Sequence, residues 1–216
     1  MIVVFLLVMI GWVFSLTLHE FAHALVAYWG GDISVRDKGY LTFNPLRYTH
    51  PVYSLVLPIL FLLMGGIGLP GGAVYIETWR LRSRKWESAV SLAGPFANLV
   101  LAAVLGLLFR LGVPGSGALG QSLAFVGLLQ VTATLFNLLP IPPFDGFGAL
   151  RPQLPPDLRQ RMDEFASVSM WMVLAVFWFI PSAAGLFWTL VGMVARALGI
   201  PLDLALAGQN AFLFWR

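Results

Sequence analysis

Residues 2–29 read IVVFLLVMIGWVFSLTLHEFAHALVAYW, an apolar run that carries two histidines and a glutamate near its far end. A helix of this length is sufficient to cross a bilayer, whose hydrocarbon core takes about 20 residues. His19 and His23 stand four residues apart, so they share one helix face, and both imidazoles can reach a single ion. Glu20 lies beside them, where a carboxylate can take a proton from an attacking water. Ionisable groups inside a membrane are costly and are usually functional. A bland alternative is that these three residues serve packing alone. The run lacks a basic leader and an A-x-A-like cleavage site, so it reads as a retained membrane helix rather than a signal peptide.

The rest of the chain agrees with a membrane setting. Of 216 residues, 59% are hydrophobic and 11% charged, and the mean hydropathy is +0.84. A soluble domain carries about 25% charged residues. There are no cysteines, which excludes disulfide frameworks, Cys-based metal sites and thiol nucleophiles. The net charge is only +3, so the basic residues read as topology signals and not as a nucleic-acid patch. Further apolar stretches run over 52–69, 88–111, 119–139 and 165–198. The expected fold is an all-α polytopic membrane bundle of about four to six membrane helices, forming one domain over 1–216. Stretch 52–69 contains Pro58 and several glycines and is expected to be partial or re-entrant. Stretch 165–198, interrupted at Pro181, can cross once or twice. Gly39–Phe43 is a β-prone run that leaves room for a short β-hairpin near the active site, and its edge could hold a substrate by strand addition.

Two histidines do not complete a catalytic zinc site, which uses three protein ligands and one open position. Asp145 is the outstanding third candidate. It lies in Asn137-Leu-Leu-Pro-Ile-Pro-Pro-Phe-Asp145-Gly146, where three prolines and a glycine interrupt the helix. Taken alone, Asp145 is an ordinary turn aspartate. His50 reads as an interfacial loop histidine.

Together, HEFAH and NLLPIPPFDG resemble the site-2 protease family of intramembrane metalloproteases. Ser91-Leu-Ala-Gly94-Pro95-Phe-Ala-Asn98 is similar to a third family motif, A-G-P-x-x-N. Residues 41–46 and 69–76 look like linking segments of compact bacterial and archaeal members. The resemblance covers roughly Leu16 to Leu150. It implies one zinc ion held by His19, His23 and Asp145, with Glu20 as general base. Asn98 and Asn137 fall on motif asparagines, which implies contact with the substrate backbone or the developing oxyanion. Packing between helices is the alternative for both. Many relatives read N-P-L-x-H-I-D-P where this chain has Asn44-Pro-Leu-Arg-Tyr48-Thr-His50-Pro51, so a role for that loop does not carry over. The implied partners are the lipid bilayer and a transmembrane substrate, without nucleic acid. A metal transporter or metal-binding scaffold would use the same ligands with no chemical duty for Glu20. A structural protein with a chance motif is the third reading.

The direction of the helices follows from the ligands. His19 lies about 25 Å along a core of about 30 Å, near the exit end of its helix. Asp145 also follows an exit end, so the two helices must run the same way, with an odd number of crossings between them. A non-crossing 52–69 satisfies this. It also gathers three, four and three Lys and Arg onto one side, against Arg110 alone on the other. The positive-inside rule then turns the site toward the cytoplasm. The expected location is a bacterial or archaeal cell membrane.

Overall fold

The computed structural model describes residues 1–47 and 74–215. Among them the chain forms eight α-helices and no strand. Helix α1 is Ile2–Gly30, and α2 is the short Ser34–Asp37. Helix α3 is Arg84–Arg110, α4 is Ala118–Asn137 and α5 is Asp145–Leu150. Helices α6, Pro156–Phe179, and α7, Pro181–Leu198, meet at Ile180, and α8 is Leu202–Phe212. Stretch 52–69 and His50 lie outside the described residues.

Three helices make the centre. Gly30 at the end of α1 touches Leu81 and Trp86, His23 meets Val90 and Gly94, and Leu105 joins Val4 and Val8. Those pairings run in opposite order along the two helices, so α3 is antiparallel to α1. Helix α4 lies parallel to α1, with Val126 against Gly11. Thr134 Oγ1 donates to the Pro95 carbonyl at 3.4 Å, bridging α4 to α3. Thus α1 and α4 end at the same side of the bundle, as ligands at both exit ends require.

The outward faces stay apolar. Leu6, Ile10, Phe96, Val104, Leu107, Trp171 and Phe179 are exposed. Helices apolar on both their inner and outer faces belong in lipid. Five of the helices are long and apolar enough to cross a membrane. The molecule is a polytopic all-α membrane bundle.

Contacts along α6 and α7 decide how 156–198 is used. Asp163 pairs with Arg151 at 2.6 Å, Ser169 Oγ donates to the Pro142 carbonyl, and Phe177 packs on Phe136. Every one of those partners lies at the end of the bundle where α4 stops. Helix α6 therefore runs obliquely along that end. Pro181, which has no N–H to continue a helix, opens α7 at its first position. From Phe187 beside Phe136, α7 runs to Leu198, whose carbonyl lies against Gly106, and Arg110 Nη2 donates to the Ala197 carbonyl at 2.5 Å. Helix α7 thus passes from the end of the bundle where α4 stops to the end where α3 stops.

The β-prone run Gly39–Phe43 forms bends rather than a hairpin strand. Tyr40 is buried with Ala24, Ala27 and Val35, and Phe43 stacks on Phe14 and Phe21. The segment follows the surface of α1, and the Tyr40 N–H is already spent on the Val35 carbonyl at 2.9 Å. The strand-addition role expected there has no strand to act through.

Gly→Ala in a helix ordinarily stabilises by up to about 1 kcal/mol. At Gly106 the sign should reverse, because a Cβ would meet the backbone carbonyl of Leu198, which no rotamer change can move. Gly106→Ala should lower the thermal unfolding temperature in detergent, and an unchanged or raised value would contradict this packing.

Candidate metal centre

Helix α1 delivers His19, Glu20 and His23 as one turn, all buried at 7%, 4% and 7% exposure. Space for the two rings comes from α3. A Cβ on Gly94 would collide with His19 Nε2 and His23 Nε2, so a side chain there would displace both imidazoles. The Gly94-Pro95 pair within α3 is thus part of the site wall.

Asp145 arrives from the other side. After α4 stops at Asn137, the chain turns through Leu138–Phe144 and restarts at Asp145 in the first turn of α5. Gly146 is needed at that restart, since any side chain there would run into the Leu138 and Leu139 carbonyls. Further bonds hold the turn: Phe144 N–H to Ile141 O at 3.0 Å and Gly148 N–H to Phe144 O at 3.1 Å. The Asp-Gly pair is a carboxylate plus the residue that lets its backbone close.

Three ligand-type side chains converge. His19 Nε2 and His23 Nε2 are 3.0 Å apart. Asp145 Oδ2 is 3.2 Å from His19 Nε2, and Asp145 Oδ1 is 3.5 Å from His23 Nε2. A tetrahedral ion with donor bonds of about 2.0–2.2 Å sets its donors roughly 3.3–3.6 Å apart. The 3.5 Å separation lies in that range and the other two are slightly shorter, so a small spreading of these side chains would seat such an ion. The His23 tautomer fits too. His23 Nδ1 donates to the Val90 carbonyl at 2.7 Å, which can only accept, so in the neutral ring Nε2 keeps its lone pair. Asp145 Oδ2 is buried and makes no hydrogen bond. His19, His23 and Asp145 form a group that can hold a metal ion.

With this geometry in view, comparison with known proteins identifies the lineage. The chain is 46% identical over 215 residues to the Mycolicibacterium smegmatis protein named "Putative zinc metalloprotease Rip2", covering 98% of this chain and 82% of that one. It is 43% identical over 213 residues to the protein of the same name from Mycobacterium tuberculosis, with the same coverage. It is 32% identical over 171 residues to "Putative zinc metalloprotease YwhC" of Bacillus subtilis, 76% of each chain. The chain belongs to this site-2 protease-like family of zinc metalloproteases. No family model and no solved structure matches it. As a member of that family it is a metalloprotease and an integral membrane protein.

Around the metalloprotease triangle stand residues of different legibility. Glu20 Oε2 accepts the Val74 N–H at 3.1 Å. A backbone donor leaves no mark in a sequence, and sequence reasoning missed it. Asn98, one turn beyond Gly94 on α3, is buried with its Oδ1 making no hydrogen bond. Asn137 is the buried last residue of α4. Gln130 was also missed. It is fully buried with neither amide atom bonded, and its signal was an amide in the middle of an apolar helix. Beside Val90, a cleft of about 450 Å³ opens between α3 and the 74–81 segment, lined by Val74, Tyr75, Ile76, Leu81 and Ser91.

Gly94→Ala should lower metal affinity at least about tenfold, the scale of a disturbed ligand environment, while circular dichroism keeps its helical signal. Wild-type metal stoichiometry and affinity in that variant would show that the rings do not need the space.

Proposed function

We propose that this chain hydrolyses peptide bonds within or near transmembrane segments of other membrane proteins, using one zinc ion held by His19, His23 and Asp145. The observation that supports it is the convergence of two imidazoles and a carboxylate, from helices more than a hundred residues apart, inside a bundle built for lipid. Zinc so held supplies Lewis-acid polarisation of the scissile carbonyl and acidification of water toward a pKa of about 7.

The chain's own groups do the remainder. Glu20, the general base, takes a proton from the attacking water and returns it to the leaving amine. The Val74 N–H fixes one Glu20 oxygen and leaves the other free to face the water. Asn98 and Asn137 hold the substrate backbone or the developing oxyanion, a use suited to buried amides, and Asn98 Oδ1 is without a hydrogen bond. The substrate helix must unwind locally, because a helical amide is shielded by its own hydrogen bonds.

Water and substrate reach the centre from the end of the bundle where α1 and α4 stop. The basic residues Arg36, Lys38, Arg80, Arg82, Arg84, Lys85 and Arg151 belong to segments at that end, which supports a cytoplasmic orientation in the cell membrane. A transporter would share the ligands but would need no base, so Glu20 separates the two readings.

Glu20→Gln should keep its zinc and lose cleavage of a model membrane substrate by about 10²–10⁴-fold, the usual contribution of general acid–base catalysis. Cleavage at the wild-type rate would defeat the assignment. Because the chain has no cysteine, single cysteines also report topology. An impermeant thiol reagent on intact cells should label position 113 and spare position 82, and the reverse pattern would invert the orientation.

A further inference from the structure

Glu20 is held by a residue that has no secondary structure of its own. Val74 begins the irregular stretch 74–77, which a 3₁₀ turn, Thr78–Arg80, follows. Among the described residues no ladder fixes this strap, and its ties return to the end of α1. Glu77 N–H donates to Asp32 Oδ2 at 2.8 Å, and Arg82 N–H donates to the Gly30 carbonyl at 2.9 Å. Lys38 Nζ reaches the Glu77 carboxylate at 2.8 Å and the Tyr75 carbonyl at 3.3 Å, and sits 4.9 Å over the Tyr75 ring. Arg80 Nε pairs with the other Glu77 oxygen.

Asp32 is the anchor of this set. It is 0% exposed, and its Oδ1 takes the Ser34 N–H at 3.1 Å and the Ser34 hydroxyl at 2.6 Å. Gly31 turns the chain into the left-handed region, with φ of 117°, which sets Asp32 at the end of the helix that carries Glu20. An exposed ion pair alone contributes little. Here the pair reinforces a buried carboxylate with partners on both oxygens, and charge-assisted bonds of that kind are the stronger ones. Lys38 and Arg80 hold the Glu77 carboxyl down to about 2, so Glu77 stays ionised at any pH near neutrality.

We propose that Asp32, Lys38 and Glu77 form a clasp that positions the Val74–Glu77 strap, and through the Val74 N–H orients Glu20. They are positioning residues, remote from the reacting atoms, and nothing in the family resemblance assigns them a role. The proposal rests on the reading of Glu20 as general base. None of the three metal-ligand candidates lies on the strap, so loosening the clasp should disturb the base and leave the metal in place.

The test is Glu77→Gln in the full chain, a change that keeps the size of a partly buried side chain and removes its charge. A nitroxide on a cysteine replacing the exposed Trp79, in the turn that directly follows the strap, reports its mobility. The expected result is a more mobile label, wild-type zinc content, kcat down about tenfold and KM within about twofold, the pattern of a misoriented catalytic group rather than lost binding. Unchanged mobility would overturn the clasp. A looser strap with unaltered kcat would overturn its role in orienting Glu20. Should the wild type cleave no membrane substrate, the hydrolase reading fails by itself, and label mobility still decides the clasp.

Discussion

Two imidazoles and a carboxylate directed at one point in a low-dielectric bundle are the constraint on which this structure rests. Each of these groups, removed from water and left alone, costs several kcal/mol. Brought within 3.0–3.5 Å of one another, they form a cluster that a divalent cation can satisfy. The arrangement requires α1 and α4 to end at the same face, α3 to pass back between them, and the chain after Asn137 to reverse sharply. The main features of the fold answer these requirements.

Close approach is achieved by omitting side chains. Gly94 leaves the volume that His19 and His23 occupy, and Gly146 lets α5 start against the Leu138 carbonyl. Gly11, Gly106, Gly127 and Gly208 do the same at helix contacts away from the site. In lipid, where apolar surface has no solvent-driven reason to associate, such contacts are a main source of helix cohesion. The motif glycines of this chain therefore belong to the site as fully as its ligands do.

The strap at Val74–Glu77 shows a second economy. One helix carries the proposed base, and the residue after its C-terminal cap carries the carboxylate that tethers the segment bonded to that base. Base and tether thus move as one body. The adjacent cleft shares Val74 with this segment and Val90 with the His23 hydrogen bond. An occupant of the cleft would touch the supports of both the proposed base and His23.

Much of this was legible in residue order. Apolar run length, charge content and the four-residue spacing of His19 and His23 are local properties, so they indicate membrane helices and a paired imidazole face without any knowledge of tertiary contacts. The turn chemistry around Asp145 marked it as special, and the need for its carboxylate to meet His19 and His23 gave the common direction of α1 and α4. Other features depend on neighbours that residue order does not name. Gly39–Phe43 has strand propensity, but stacking on α1 overrides it. Stretch 165–198 is apolar throughout, and only its contacts with Pro142, Phe136 and Gly106 show where its two helices lie against the bundle. Asp32 and Val74 looked like loop residues because their importance lies in a carboxylate and a backbone N–H meeting partners 45 and 54 positions away. Local spacing encodes which groups can act, whereas folding brings distant ones together, and only the folded chain shows which of them meet.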